Sequence, residues 1–253
     1  GGGLPEITVG PKQTEAMAAG SVDFAHCLGG SSAILAAANG VDLKIIGIYS
    51  RAPKAFVVMT KSDSIKTFAD LKGKKVAGPK GTILHQLLLA GLVREGLKAS
   101  DVQFVSMDLP ASMAALMNGS VDVALSAGAD ALRAQQSGVR VIATGEGLVD
   151  ATIVTAVRGE FLKKHPELVK QFVSVHQAAV EKMKSEPESA YKLTAAETGL
   201  TIDMVKAMAP LYDFDFTIRP KDIQELKLTQ DFLKQNGMLD KTVDIEKLIV
   251  KVE

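Results

Sequence analysis

The chain has no tryptophan, and aromatic residues make up only 5% of it. That scarcity removes the stacking platforms on which single-stranded nucleic acid is held. Excess charge is missing too: 29 Lys and Arg balance 29 Asp and Glu. A balanced chain exerts no long-range pull on nucleic acid or an anionic membrane, so no nucleic-acid partner is expected. The single cysteine, Cys27, excludes an intrachain disulfide. No apolar run approaches the roughly eighteen residues of a membrane helix; the best stretch, Ile83–Val93, is broken by His85 and Gln86. The chain opens at Gly1 with neither Met nor a signal-type segment, which reads as a processed or trimmed product with its signal peptide removed.

What is present is ordinary in bulk and informative in pattern. At 253 residues, 47% hydrophobic and 23% charged, the chain can bury one large core or two modest ones. Gly-Ser-Val-Asp occurs twice, at Gly20–Asp23 and Gly119–Asp122. Each copy follows a helical stretch (Lys12–Ala19, Ala111–Met117) and enters a strand (Val22–Ala25, Val121–Leu125). Each strand leads through a small-residue turn, Cys27–Ser32 or Ser126–Asp130, into an Ala-rich helix. Those helices stop at Gly40 and Gly138, and each is followed by a further strand, Leu43–Tyr49 or Val139–Ala143. A duplicated α/β unit predicts two lobes with a ligand between them. The Asp that ends each copy reads as a structural turn residue.

Between the copies, Lys75–Ala77 and Val102–Ser106 read as strands around the helix Ile83–Glu95. After a strand over Ala151–Val157 the pattern becomes helical: Phe161–Lys184, Pro187–Thr198, Ile202–Ala209, Pro220–Asn236 and Ile245–Val250. Strands alternating with helices predict mostly parallel sheets, and the helical third a shell on one of them.

Open α/β sheets bind ligands beyond the carboxyl ends of their strands, where helix N-termini favour anions. The candidate contacts follow. Gly29, Gly30, Ser31 and Ser32 open one helix. Lys80, Gly81 and Thr82 open another, with Thr82 either offering its hydroxyl to an anion or capping the helix. Arg51 either clamps a carboxylate or sulfonate bidentately or is a solvated loop residue. Ser112 and Ser126 carry weaker versions of the same argument. Asp130 and Glu146 would hold a ligand amine or hydroxyl, or else cap and solvate. The four histidines form no metal set: His26 and Cys27 point to opposite faces of a strand, His85 is alone on a helix, and His165 and His176 lie on a surface-type helix. No cofactor is expected, because the nucleophile-elbow, phosphate-loop and dinucleotide patterns all fail.

The phrase Ser64–Ala77 (S-I-K-T-F-A-D-L-K-G-K-K-V-A) resembles the segment entering the second lobe of periplasmic solute-binding proteins of the sulfonate, nitrate and thiamine-precursor (NMT1/THI5-like) family. Glu15–Asp23 (E-A-M-A-A-G-S-V-D) and Lys164–Val169 (K-H-P-E-L-V) are similar to two further stretches of that family, and the likeness runs in order from Lys12 to about Leu239. It implies an α/β type II periplasmic binding fold with two hinge crossings and no catalysis. Family members begin with a strand, a helix and a second strand before the Glu15–Asp23 stretch. Here the first strands of lobe 1 read as absent, with Gly1–Leu4 a loop remnant at the cleft. The family's second-lobe loop often carries an aromatic; Ser126–Asp130 has none.

The resulting expectation assigns lobe 1 to residues 1–58 and 156–253 and lobe 2 to 59–155, with the cleft between them. The protein would deliver a small organic anion of the sulfonate class (taurine among them) or the carboxylate class to an ABC importer permease, closing about its hinge; nitrate is a further solute that the family resemblance brings in. It would act as a monomer in the periplasm, or outside the cell on a lipid anchor. The alternatives are a thiamine-precursor pyrimidine or other small aromatic ligand, and a pyrimidine-synthesising enzyme on the same scaffold. The enzyme would need a cysteine-rich motif that a chain with one cysteine does not have.

Overall fold

The computed structural model describes residues 10–253; the expectation attached to Gly1–Leu4 lies outside them. The chain divides into two compact units, one built from the residues up to Arg51 with Thr152–Glu253, the other from Ala52–Ala151. The crossings fall at Arg51/Ala52 and Ala151/Thr152, ahead of the expected boundaries at 58/59 and 155/156. The strand that follows each crossing begins almost at once and belongs wholly to the unit being entered.

Unit 1 opens with α1 (Gly10–Ala18), β1 (Phe24–Gly29), α2 (Gly30–Ala38) and β2 (Leu43–Arg51). After the excursion through unit 2 it resumes with β8 (Thr152–Arg158), then α6 (Gly159–Lys164), α7 (Pro166–Ser185), α8 (Pro187–Thr198), α9 (Ile202–Met208), α10 (Pro220–Gln235) and α11 (Ile245–Leu248). The expected helix over Phe161–Lys184 is two helices. Pro166 cannot donate a backbone hydrogen bond and disfavours helical geometry at His165, so α6 ends and α7 starts afresh with Pro166 in its first turn. The helical shell packs on this unit's own sheet: Val169 and Val173 of α7 bury against Ile46 and Val157, and α10 lies on α2.

Unit 2 holds β3 (Phe56–Thr60), β4 (Lys75–Gly78), α3 (Ile83–Arg94), β5 (Gln103–Ser106), α4 (Leu109–Met117), β6 (Val123–Ala127), α5 (Gly128–Gln136) and β7 (Arg140–Thr144). Its core joins Val57 and Met59 of β3 to Ala77, Ala124, Leu116 and Ala134. Fully burying an apolar side chain of Val or Leu size stabilises by about 1.5–3 kcal/mol.

The expected mostly parallel pairing needs correction. The sheet of unit 1 has the order β1-β8-β2 and that of unit 2 the order β5-β4-β6-β3-β7. β8 pairs antiparallel with both its neighbours, and so does β3; only β4 with β5 and β4 with β6 pair in parallel. The reason lies in the connections. A crossover helix returns the chain parallel within one sheet, whereas β3 and β8 are the strands entered across the unit crossings, from β2 and β7 of the other sheet, so no crossover helix sets their direction. Strands joined through α2, α3, α4 and α5 do run the same way.

The repeated Gly-Ser-Val-Asp is a helix stop. Gly20 and Gly119 sit at φ +72° and +82°, left-handed backbone that glycine adopts without cost. The next residue's N–H bonds back to the third-last helical carbonyl in both copies, Ser21 to Ala16 at 2.9 Å and Ser120 to Ala115 at 2.9 Å, the pattern of a Schellman cap. The aspartates then tie the entering strand to its neighbour: Asp23 pairs with Arg158 at 2.9 Å, and Asp122 accepts the Lys75 N–H at 2.9 Å. One copy stands in each unit.

Candidate functional site

In unit 1 the strand β1 passes into α2 with no intervening loop: Gly29 ends the strand and Gly30 begins the helix. The first N–H groups of a helix have no intrahelical acceptor, and here no side chain caps them. A side chain at Gly30 would be crowded: a Cβ would lie 2.8 Å from Leu226 Cδ2 and 3.2 Å from the Thr152 carbonyl. Ser31 is 1% exposed, and its Oγ has no hydrogen-bond partner among the described residues. Ser32 beside it is half-buried. Gly29, Gly30, Ser31 and Ser32 thus form a strand-to-helix junction at the carboxyl end of β1; the turns expected over Cys27–Ser32 and Ser126–Asp130 are absent, because β1 runs on to Gly29 and β6 to Ala127 and a helix starts at the next residue.

Two hydroxyls not singled out from sequence stand at the same end of the sheet. Ser50, near the end of β2, pairs in the ladder with Ile153, as does Gly29; Thr152 opens β8 opposite Arg51. Both hydroxyls are buried, and neither has a partner among the described residues. A buried polar group left unsatisfied costs about 1–3 kcal/mol. Ser50 and Thr152 stand on opposite faces of the sheet, because Ser50 pairs with Ile153 and Thr152 with Arg51, the next position along the ladder.

Arg51 is neither the ligand clamp nor the solvated residue that the sequence offered as alternatives. It is 7% exposed, and its fork grips Asp222 of α10 through Nε and Nη2, both at 2.6 Å. Nη1 donates to the Asp215 carbonyl at 2.8 Å and Nη2 also to the Thr217 carbonyl at 2.9 Å. With these bonds made, the guanidinium serves the fold rather than a solute. Alongside it, Arg219 bonds Asp213 and Asp215 at 2.9 and 2.8 Å. Burial works to raise the Asp213 carboxyl, but the Asp215 N–H, Arg219 and Arg51 outweigh it and hold the group below its ordinary value.

In unit 2 the expected residues stand at one end of the sheet, because β4, β5, β6 and β7 run the same way. The donors before α3 are partly consumed. The Gly81 N–H donates to His85 Nδ1 at 3.1 Å, and the Thr82 hydroxyl to the Pro79 carbonyl at 2.7 Å, so Thr82 does not cap the helix with its side chain. Lys80 is exposed beside them. Ser112 is buried inside the first turns of α4 and leans on the Met107 carbonyl at 3.4 Å. Ser126 is buried within β6 opposite Val57. Asp130 pairs with Arg133 at 2.7 Å on α5, and exposed Glu146 lies 3.8 Å from Lys54.

His85 is buried and stacked face to face on Phe104, ring centroids 4.1 Å apart. Burial, helped by the Lys80 charge, lowers its pKa to about 4, so it stays neutral and can accept the Gly81 N–H. His176 is not on an open surface either: its Nδ1 lies 3.0 Å from His26 Nε2, and burial lowers it to about 4. The two histidines border a mostly apolar cavity of about 430 Å³ with Tyr49, Phe172, Met183 and Phe214. No residue of the Gly29–Ser32 junction borders that cavity.

Residues 7–190 match the family model described as NMT1/THI5 like. An aliphatic sulfonates-binding protein of Escherichia coli is 31% identical over 249 residues, 96% of this chain and 77% of that protein. The crystal structure of the periplasmic aliphatic sulphonate binding protein SsuA from Escherichia coli superposes with a TM-score of 0.85 at 28% identity, over 96% of this chain and 80% of that one. The alkanesulfonate-binding SsuA from Xanthomonas axonopodis, solved with MOPS bound, gives 0.87 at 25% identity over 97% and 86%. DszB, in complex with biphenyl-2-sulfinic acid, shares the fold at 18% identity with a TM-score of 0.73, over 96% and 87%.

Proposed function

This chain belongs to the NMT1/THI5-like family, and from that membership we propose that it captures an aliphatic sulfonate as the solute-binding component of an ATP-driven importer. The observation that carries the ligand class is the α2 N-terminus. Uncapped N–H groups and the buried Ser31 hydroxyl are donors suited to a compact cluster of anionic oxygens. A tetrahedral sulfonate head offers three such oxygens, and its alkyl tail needs no aromatic partner, in keeping with the absence of an aromatic from Ser126–Asp130. Carboxylates are the next class that these donors suit.

The protein carries rather than converts its solute on this reading, and works as a monomer beside the importer's permease, outside the cytoplasmic membrane. Relatives named as binding proteins support the carrier role. Among the described residues no helix is long and apolar enough to cross a membrane.

Calorimetric titration with ethanesulfonate, taurine, nitrate, acetate and an aminopyrimidine tests the ligand class. Ethanesulfonate or taurine is expected to bind with a dissociation constant near micromolar, about −8.2 kcal/mol. Ser31→Ala, which deletes one donor to a charged oxygen, is expected to weaken binding by roughly 1.5–3 kcal/mol. Tighter binding of the aminopyrimidine would move the ligand class to aromatic solutes. Loss of the solute during a long incubation, followed by mass spectrometry, would make the protein an enzyme.

A further inference from the structure

We infer that Arg51 and Asp222 are positioning residues for the Gly29–Ser32 junction: their ion pair sets the seat on which Gly30 rests and so aims Ser31 and the first N–H groups of α2. This inference rests on the sulfonate reading only for its ligand readout.

The seat of Gly30 has two walls, Leu226 Cδ2 and the Thr152 carbonyl, and Arg51 is tied to both. Thr152 is its ladder partner across β2 and β8. Leu226 stands one helical turn beyond Asp222, on the same face of α10, and is 1% exposed. The grip on Asp222 therefore places Leu226, while the ladder places the Thr152 carbonyl. Asp222 adds a second constraint by accepting the Arg219 N–H at 2.7 Å, which fixes where α10 begins. Arg51 also closes a backbone bridge with Asp213 in both directions at 2.9 Å, so the segment leading to α10 is anchored on the same residue. Gly30 has no side chain to hold its own place between these walls. A displacement of either wall passes directly to the helix N-terminus.

A bidentate pair this deeply buried is a poor device for stability alone, since well-packed apolar residues of similar size often serve as well. The double variant Arg51→Met with Asp222→Leu uses that property. It is expected to fold, while losing the bonds to Asp215, Thr217 and Arg219. Hydrogen exchange of the amides in the first two turns of α2 should then rise roughly tenfold, with the amides of α7 unchanged. The dissociation constant for ethanesulfonate should rise by about the same factor. Arg51→Lys keeps the charge but not the fork, and should give smaller changes in the same two readouts. It also supplies the test if the double variant does not fold. Unchanged exchange in α2, or an equal rise throughout unit 1, would overturn the inference. If the unaltered protein binds no sulfonate, the ligand reading falls and the exchange result still decides the positioning role.

Discussion

At Arg51, what separates an arginine offered to a solute from one closed over a carboxylate is a residue 171 positions later in the chain. Locally, Arg51 ends a strand in a stretch of small and polar residues, which is how a ligand clamp would look. Asp222 left only a weak trace in the sequence, an acid in the first turn after Pro220 that reads as helix-start chemistry. Neither segment announces the other. Gly30 was singled out from the sequence as a candidate ligand contact, and the structure shows that a side chain there would be crowded. Gly30→Ala forces a Cβ against Leu226 and the Thr152 carbonyl. Overpacking of this kind costs about 1–3 kcal/mol, so melting should fall by several degrees, and sulfonate affinity should fall with it. Differential scanning fluorimetry and calorimetry on the same preparation check both.

Among elements, the helices and the strands they connect were readable because periodicity and capping are local. The repeated Gly-Ser-Val-Asp marks real helix ends for that reason. β3 and β8 were readable as strands but not as antiparallel ones, since direction depends on which neighbours a strand joins. The surroundings of the histidines were not legible for the same reason. His85 on α3 is buried and His176 on α7 half-buried by other elements, which lowers both to about 4; His26 is lowered too, chiefly by burial. For a base depressed in the folded state, the unfolded chain takes up the proton first, near its ordinary value of 6.5. Stability is therefore full above that pH, declines as pH falls from 6.5 towards 4, and loses no more to these groups below it. Carboxylates held low, such as Asp213 and Asp215, act only further down, below their ordinary 3.8. Urea midpoints measured from pH 7.5 to 3.5 should begin to drop near pH 6.5. A flat profile down to pH 4.5 would contradict the burial of His85 and His176. His85→Gln, which keeps an acceptor but cannot titrate in this range, should remove part of the slope.

For the whole molecule, the ligand is expected to act as a stabiliser through mass action. At a free concentration about a hundred times the dissociation constant, binding adds roughly 2.7 kcal/mol, or some 5–10 °C in melting temperature for a chain of this size. The shift should grow with the logarithm of ethanesulfonate concentration. A shift that saturates at a few equivalents above the dissociation constant would exclude simple linkage. The sequence by itself determined the α/β class and the two-unit organisation, because each rests on local signals: periodicity, glycine stops and small residues at strand ends. Only the tertiary structure decided the partner of Arg51, the burial of the histidines, and the unsatisfied Ser31, Ser50 and Thr152 hydroxyls. Those depend on which distant surfaces arrive beside a residue. No local pattern records that, because solvation and hydrogen-bond satisfaction belong to the packed chain and not to the residue.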